Sequence, residues 1–330
     1  MINGIWLMYL VGAGIRLWLM NTPWAECIAK RVELSTPLNS WKRVEEGVFL
    51  HSQDIAVYSG GVFHETPFCL LFGGFLIRRG YPVIFGTLVA LVAYQSFYPI
   101  CLMVPGILFF MQSDSHNLKA ALLKPLLSFL VSLGLLMVIS AEIAGGWEFL
   151  EATYGFILAA PDLTPNIGLF WYFFTEMFEH FRLFFLATFQ INAFVYVLPL
   201  AIRLRKDPVL LATALLAFTA VFRSYPALGD VGIYLSLLPM WKHLYPFMRQ
   251  TFIVGCMFVA TSVLGPIMYN LWIFSGSANA NFYFAVTLAF NTAQIFLVTD
   301  LLFAHVKREY HLIHGSKMEV DEVPARLILQ

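Results

Sequence analysis

Glu176 and His180 stand four residues apart in the run WYFFTEMFEHF, with Glu179 beside them. On one helix these groups share a face, and two carboxylates with an imidazole are the beginning of a metal site. Such a site needs at least one more ligand. His64-Glu65 in FHETP is another close His/Glu pair, and the chain lacks the second histidine of HExxH, HxxEH or a His box. The simpler reading is interfacial. Pro161, Pro165 and Asn166 make a turn, and Phe170, Trp171, Tyr172, Phe173 and Phe174 form an aromatic belt. Glu176, Glu179 and His180 then point to headgroups or to a partner. No metal and no cofactor are expected.

A second set of polar groups lies in SGSANAN, residues 275–281. Ser275, Ser277, Asn279 and Asn281 offer neutral donors and acceptors that suit sugar hydroxyls or phosphate oxygens. A plain turn with an Asn or Ser helix cap at 279–281 explains them equally well. Glu142, Arg223, Asp230 and Asp300 are charges placed where lipid is expected, at about 2.5–3.5 kcal/mol each on insertion scales. Structural pairing is the favoured reading: Arg223 with Asp230 across FRSYPALGD, and Asp300 with Lys307 or another helix. Of the 4 cysteines, Cys27, Cys69, Cys101 and Cys256, no two have CxxC spacing, which argues against a zinc or redox site.

The elements that must carry these groups are membrane helices. The chain is 59% hydrophobic and 12% charged, with 32 phenylalanines; soluble domains carry about 25% charged residues. With a net charge of zero, nothing points to nucleic acid. Apolar runs predict spans at 2–20, 62–77, 81–95, 98–111, 120–141, 181–202, 208–223, 231–240, 250–273 and 281–306. The fold class is an all-α polytopic transmembrane bundle of about 8–10 segments. Four of the runs are short, which suits half-helices packed inside protein.

Basic clusters set the orientation: Arg78-Arg79, Lys119 with Lys124, Arg203 to Lys206, Lys242 with Arg249, and Lys307-Arg308. All fall on one side, taken as the cytosol, provided 81–111 crosses twice. Both termini are then cytosolic. Residues 1–330 form one helical domain with a lumenal loop 21–61, a lumenal or interfacial segment 142–180 and a cytosolic tail 307–330. Lys119, Arg203, Arg205 and Lys206 suit an anionic phospholipid, at about 1 kcal/mol each near a membrane surface. The four Tyr-Pro pairs, at 81, 98, 225 and 245, read as punctuation at helix boundaries.

Longer motifs are more specific. TPLNSWKRVEEG, YSGGVFHETP, AYQSFYP, YGFILAAPDLTPNIGLFWYFFTEMFEHF, FRSYPALGDVGIYLSLLPMW and LWIFSGSANANFYFAVTLAFN together resemble the PIG-U family, the multi-span subunit U of the GPI transamidase. The resemblance runs from the first span to about His314. It departs at Arg78-Arg79-Gly80, which runs directly into Tyr81-Pro82 where the family has several further spans. The chain thus resembles a shortened form.

The resemblance implies a subunit of an endoplasmic reticulum complex that cuts a C-terminal signal and joins the new carboxyl end to GPI. The catalytic cysteine then lies on another subunit, so this chain is expected not to be an enzyme. It also implies a plan like that of GT-C glycosyltransferases, and contact with the other subunits, with the GPI glycolipid and phospholipids, and with the attachment signal. Under this reading Asn279 and Asn281 contact the GPI headgroup region. The alternative is a GT-C mannosyltransferase acting on the GPI glycan, with Glu45, Glu46 and Asp54 as its acidic groups. At LNSWKRVEEG, however, Asn39, Ser40 and Trp41 stand where that class places its acids.

Overall fold

The computed structural model describes residues 81–113 and 117–315, together with Trp18, Thr22 and the pairs 319–320 and 323–324. Apart from Trp18 and Thr22, the expected spans 2–20 and 62–77, the loop 21–61 and its residues Glu45, Glu46 and Asp54 lie outside the described residues. Among the described residues the architecture is helical, apart from one antiparallel pairing of Glu319–Val320 with Val323–Pro324.

Helix α1 (Pro82–Gln95) starts on a proline, which suits a first helical turn whose N–H needs no partner. After Ser96 a 3-10 turn (Tyr98–Leu102) leads into α2 (Met103–Ser113). Helix α3 (Leu118–Ala144) is capped by Asn117, whose side chain accepts from the Ala120 N–H, and stops at left-handed Gly145. A π turn (Glu151–Gly155) and the single turn α4 (Phe156–Ala159) follow, and α5 (Phe170–Glu176) comes after an irregular stretch. Helices α6 (Glu179–Asn192) and α7 (Val197–Arg203) form one pass, Glu179–Arg203. Helix α8 (Pro208–Phe222) has Asp207 as its cap and Pro208 in its first turn. Helix α9 (Leu228–Leu237) continues as 3-10 turns (Leu238–Phe247), and α10 (Thr251–Ile273) and α11 (Ala280–His314) close the bundle.

Four passes have the length and hydropathy to cross a membrane: Leu118–Ala144, Glu179–Arg203, Thr251–Ile273 and Ala280–Ile313. The runs expected at 120–141, 181–202, 250–273 and 281–306 match them. The run at 231–240 needs correction: its helix ends at Leu237, and the return is completed by the 3-10 turns to Phe247. Pro239 and Pro246 account for this, since proline removes the donors that an α-helix requires.

The passes alternate between two ends. Near one end Gln112 donates to the Arg205 carbonyl, Arg203 pairs with Glu309 at 2.8 Å, and the Phe247 and His311 rings meet. At the other, Tyr94 shares a hydrogen bond with Ser140 and Tyr154 donates to the Tyr94 carbonyl. Residues 82–113 therefore go out and back as two apolar helices shorter than the four long passes.

Helices α2, α7, α8 and α11 share a core around Leu204, Leu210, Leu211, Leu244 and Leu301. Helices α8 to α11 share another around Ala217, Tyr234, Phe290 and Val298. In lipid such cores are held by close packing and interhelical hydrogen bonds more than by exclusion of water. Helix α3 lies outside both cores and packs on α1. Their close approach requires Gly86, where a Cβ would overlap Ser128 and the Pro125 carbonyl.

Candidate functional site

At the end away from the basic clusters, a buried polar node ties four segments together. The Tyr98 hydroxyl donates to Gln190 Oε1 at 2.8 Å and lies 3.0 Å from Ser224 Oγ. Gln190 Nε2 donates to the Ile157 carbonyl at 2.9 Å and contacts Ser224 Oγ at 2.8 Å. The Ser224 N–H donates to Tyr98, and its hydroxyl to the Ile157 carbonyl. The side-chain polar atoms of Tyr98, Gln190 and Ser224 all gain partners, which fixes the 3-10 turn at Tyr98, α4, α6 and the α8–α9 turn in one arrangement. Arg223, with its guanidinium over the Tyr98 ring, pairs with Asp230 at 2.6 Å. Asp230 also accepts from the Ala227 N–H and so starts α9.

The node supports the stretch PDLTPNIG, residues 161–168. Asp162 accepts from the backbone and hydroxyl of Thr164, and Asn166 from the Gly168 N–H at 2.7 Å, two side-chain turns in succession. Tyr225 accepts from the Asp162 N–H at 3.1 Å. Burial pushes the Tyr225 phenol above its ordinary value, so it stays protonated. From the other flank Asn291 of α11 donates to the Ile167 carbonyl at 2.7 Å. Gly168 packs under Pro226, where a Cβ would lie 2.6 Å from Cγ.

So held, α5 presents its rings to α11. Trp171 lies against Trp272, Tyr283 and Phe284, and Tyr172 stacks on Phe284 at 4.3 Å between centroids. The Tyr172 hydroxyl donates to Asn281 Oδ1. An open groove of about 330 Å³ runs beside this pair, lined by Tyr172, Phe173, Glu176, Met177, Phe178, Phe181, Phe185 and Phe284. The EMFEH segment and the SGSANAN turn, far apart in sequence, thus meet at one place.

Three expectations need correction. Glu176 and His180 do not share a helix: Glu176 ends α5, Met177 and Phe178 are extended, and Glu179 opens α6. Glu176, Glu179 and His180 are all exposed. The aromatic run is not a surface belt throughout, because Phe170, Trp171 and Phe174 are buried. Nor are all the Tyr-Pro pairs mere punctuation: Tyr81 and Tyr245 are exposed, but Tyr98 and Tyr225 are 2% exposed, Tyr98 within the node and Tyr225 bonded to the 161–168 stretch.

Asn279 is the cap of α11, its Oδ1 accepting from the N–H groups of Asn281 and Phe282. The Arg223–Asp230 pairing is as expected. Asp300 meets another helix rather than Lys307: its carboxylate accepts from the N–H groups of Arg249 and Gln250 at 2.8–3.0 Å, where α10 begins. Gln190 and Ser224 went unnoticed in the sequence. A glutamine inside an otherwise apolar pass was the available signal.

At the opposite end Arg205 and Lys206 line a groove of about 450 Å³ with Leu108, Met111, Gln112 and Leu118. Lys119 is exposed next to Leu118, whereas Arg203 is engaged by Glu309.

The fold and these two ends define a polytopic helical membrane protein with an aromatic, polar end and a basic end. The profile of "GPI transamidase subunit PIG-U" matches residues 10–89 and 75–290, and the chain belongs to this family. It is similar to the human "GPI-anchor transamidase component PIGU", at 34% identity over 429 aligned positions that cover 98% of this chain and 99% of the relative. It is similar also to the Schizosaccharomyces pombe "GPI transamidase component GAB1 homolog", at 30% identity, covering 91% of this chain and 93% of that one. The Saccharomyces cerevisiae "GPI transamidase component GAB1" is 27% identical, with 88% and 92% covered. An alignment of 429 positions is longer than the 330 residues, and the two profile matches overlap at 75–89. Both are the pattern of a chain shortened internally near that point.

Proposed function

We propose that this chain is a non-catalytic subunit of a GPI transamidase in the endoplasmic reticulum membrane, and that its aromatic, polar end receives the GPI headgroup region. In this reading that end is lumenal, and the basic end and both termini are cytosolic. The chain acts with other subunits, one of which carries the catalytic cysteine. The observation that carries the site is the Tyr172–Asn281 hydrogen bond, which brings the SGSANAN turn to the edge of an open, aromatic groove. Asn281 keeps its amide N–H groups for a ligand hydroxyl or phosphate oxygen. Asn279 shapes the turn by capping α11, its Oδ1 engaged by the helix and its amide N–H groups left as a second donor set for the same ligand.

The test is rescue of cells lacking the endogenous subunit. Asn281→Leu is expected to lower surface GPI-anchored protein while expression and assembly hold, at about 0.5–1.5 kcal/mol per hydrogen bond lost. Asn279→Leu removes the cap as well, so Asn279→Asp, which keeps an acceptor, is its control. Normal surface levels with Asn281→Leu, or a loss that merely follows loss of the protein, overturn the site.

The basic end supports a second contact, with an anionic phospholipid. Its support is the groove beside Arg205 and Lys206, with Lys119 at its rim and Arg203 partly neutralised. Arg205→Ala is expected to reduce retained anionic lipid in native mass spectrometry more than Arg203→Ala does.

A further inference from the structure

The groove beside Tyr172 has an uneven chemistry. Seven of its lining side chains are Tyr172, Phe173, Met177, Phe178, Phe181, Phe185 and Phe284; the eighth is Glu176. The faces of aromatic rings carry negative electrostatic potential, and so attract cations and disfavour anions. Among the described residues no cationic side chain lines the groove. The nearby Arg182 is turned away, donating to the Ala160 carbonyl and lying over Phe174. Glu176 is exposed and has no ion-pair partner among the described residues. The Tyr172 hydroxyl spends its proton on Asn281, which leaves its oxygen as an acceptor. Rings, carboxylate and phenol oxygen all ask for the same ligand, a protonated amine.

The mouth of the groove tells what carries the amine. Phe178 is 80% exposed, and Leu183 and Phe184 continue an apolar surface along α6. Such a surface belongs in acyl chains, so the amine arrives on a lipid. We infer that the groove binds the primary ammonium of a lipid headgroup, with Glu176 as its counter-ion and the Tyr172 and Phe284 rings as its wall. This deepens the lipid-receiving reading of the same end and rests on it.

The experiment uses the full chain in nanodiscs holding phosphatidylethanolamine and phosphatidylglycerol of equal acyl length, with retained lipids counted by native mass spectrometry. Glu176→Gln keeps size and removes charge at an exposed position. Loss of a charge-assisted hydrogen bond predicts a drop on the order of tenfold in retained phosphatidylethanolamine. Phosphatidylglycerol is expected to stay unchanged in that variant, and Glu176→Asp to keep part of the preference. Unchanged phosphatidylethanolamine overturns the proposal. So does an equal fall of both lipids, which marks a groove for acyl chains alone or a misfolded variant. The assay needs no other subunit, so it can fail while surface rescue succeeds, and the reverse; the two readings fail separately.

Discussion

Helices α3 and α11 are both long and apolar, yet they hold opposite positions. The most apolar window of α3 is 11% buried with a mean hydropathy of 2.2; that of α11 is 50% buried with a mean of 1.5. The less hydrophobic helix is the interior one. In a bilayer the outside is as apolar as the inside, so burial leaves its mark as polar residues that need protein partners. Helix α11 buries Thr287, Asn291, Gln294, Asp300 and His305. Its Gln294 accepts from Tyr234 of α9 at 3.1 Å, its Asn291 reaches the 161–168 stretch, and its Asp300 caps α10. Helix α3 directs Leu123, Leu127, Leu130, Val131 and Leu135 outward and spends its serines on α1, through Val83 and Thr87.

Substitutions at four positions test this contrast. Leu301→Ala, at 2% exposure in the shared core, is expected to cost about 3 kcal/mol through the cavity it leaves. It is read as a lower thermal midpoint in detergent. Asp300→Ala strands the first amides of α10 and is expected to cost about 2 kcal/mol, whereas Asp300→Asn recovers part of that. Asn291→Leu removes the bond to Ile167 and is expected to cost about 1 kcal/mol, and proteolysis within 161–168 should quicken. Leu130→Ala on α3 is expected to stay within about 0.5 kcal/mol. If Leu130→Ala proved as damaging as Leu301→Ala, α3 would be covered by more than lipid, and its outer face would become a candidate subunit contact.

Much of the architecture was legible, because the long apolar runs at 120–141, 181–202, 250–273 and 281–306 announce themselves, and an Asn cap marks the start of the last. The Arg223–Asp230 pair was legible for a similar reason, as opposite charges across a short turn. The break at Met177-Phe178 was not. Neither residue disfavours helix strongly, and the break comes from packing that sends α5 toward α11 and α6 toward the node. Tyr98 and Tyr225 were misread because a tyrosine before proline looks the same at a headgroup layer and inside a protein. Only the partners Gln190, Ser224 and Asp162, distant in sequence, distinguish the two cases. The groove was half legible. Its aromatic strip and its polar turn were both seen, but nothing in the spacing says that Tyr172 reaches Asn281.

The carboxylate of Asp300 is made 51 residues after the Arg249 amide it serves. At about 5–20 residues per second of synthesis, α10 waits some seconds with its leading amides unanswered. During that interval the start of α10 has reason to stay near water, where those amides are hydrated, rather than settle into hydrocarbon. Synthesis of α11 then supplies the missing acceptor and draws α10 into register beside it. The last two helices therefore enter the membrane as one hairpin whose second arm completes the first, and a chain interrupted before residue 300 would leave α10 without a fixed depth.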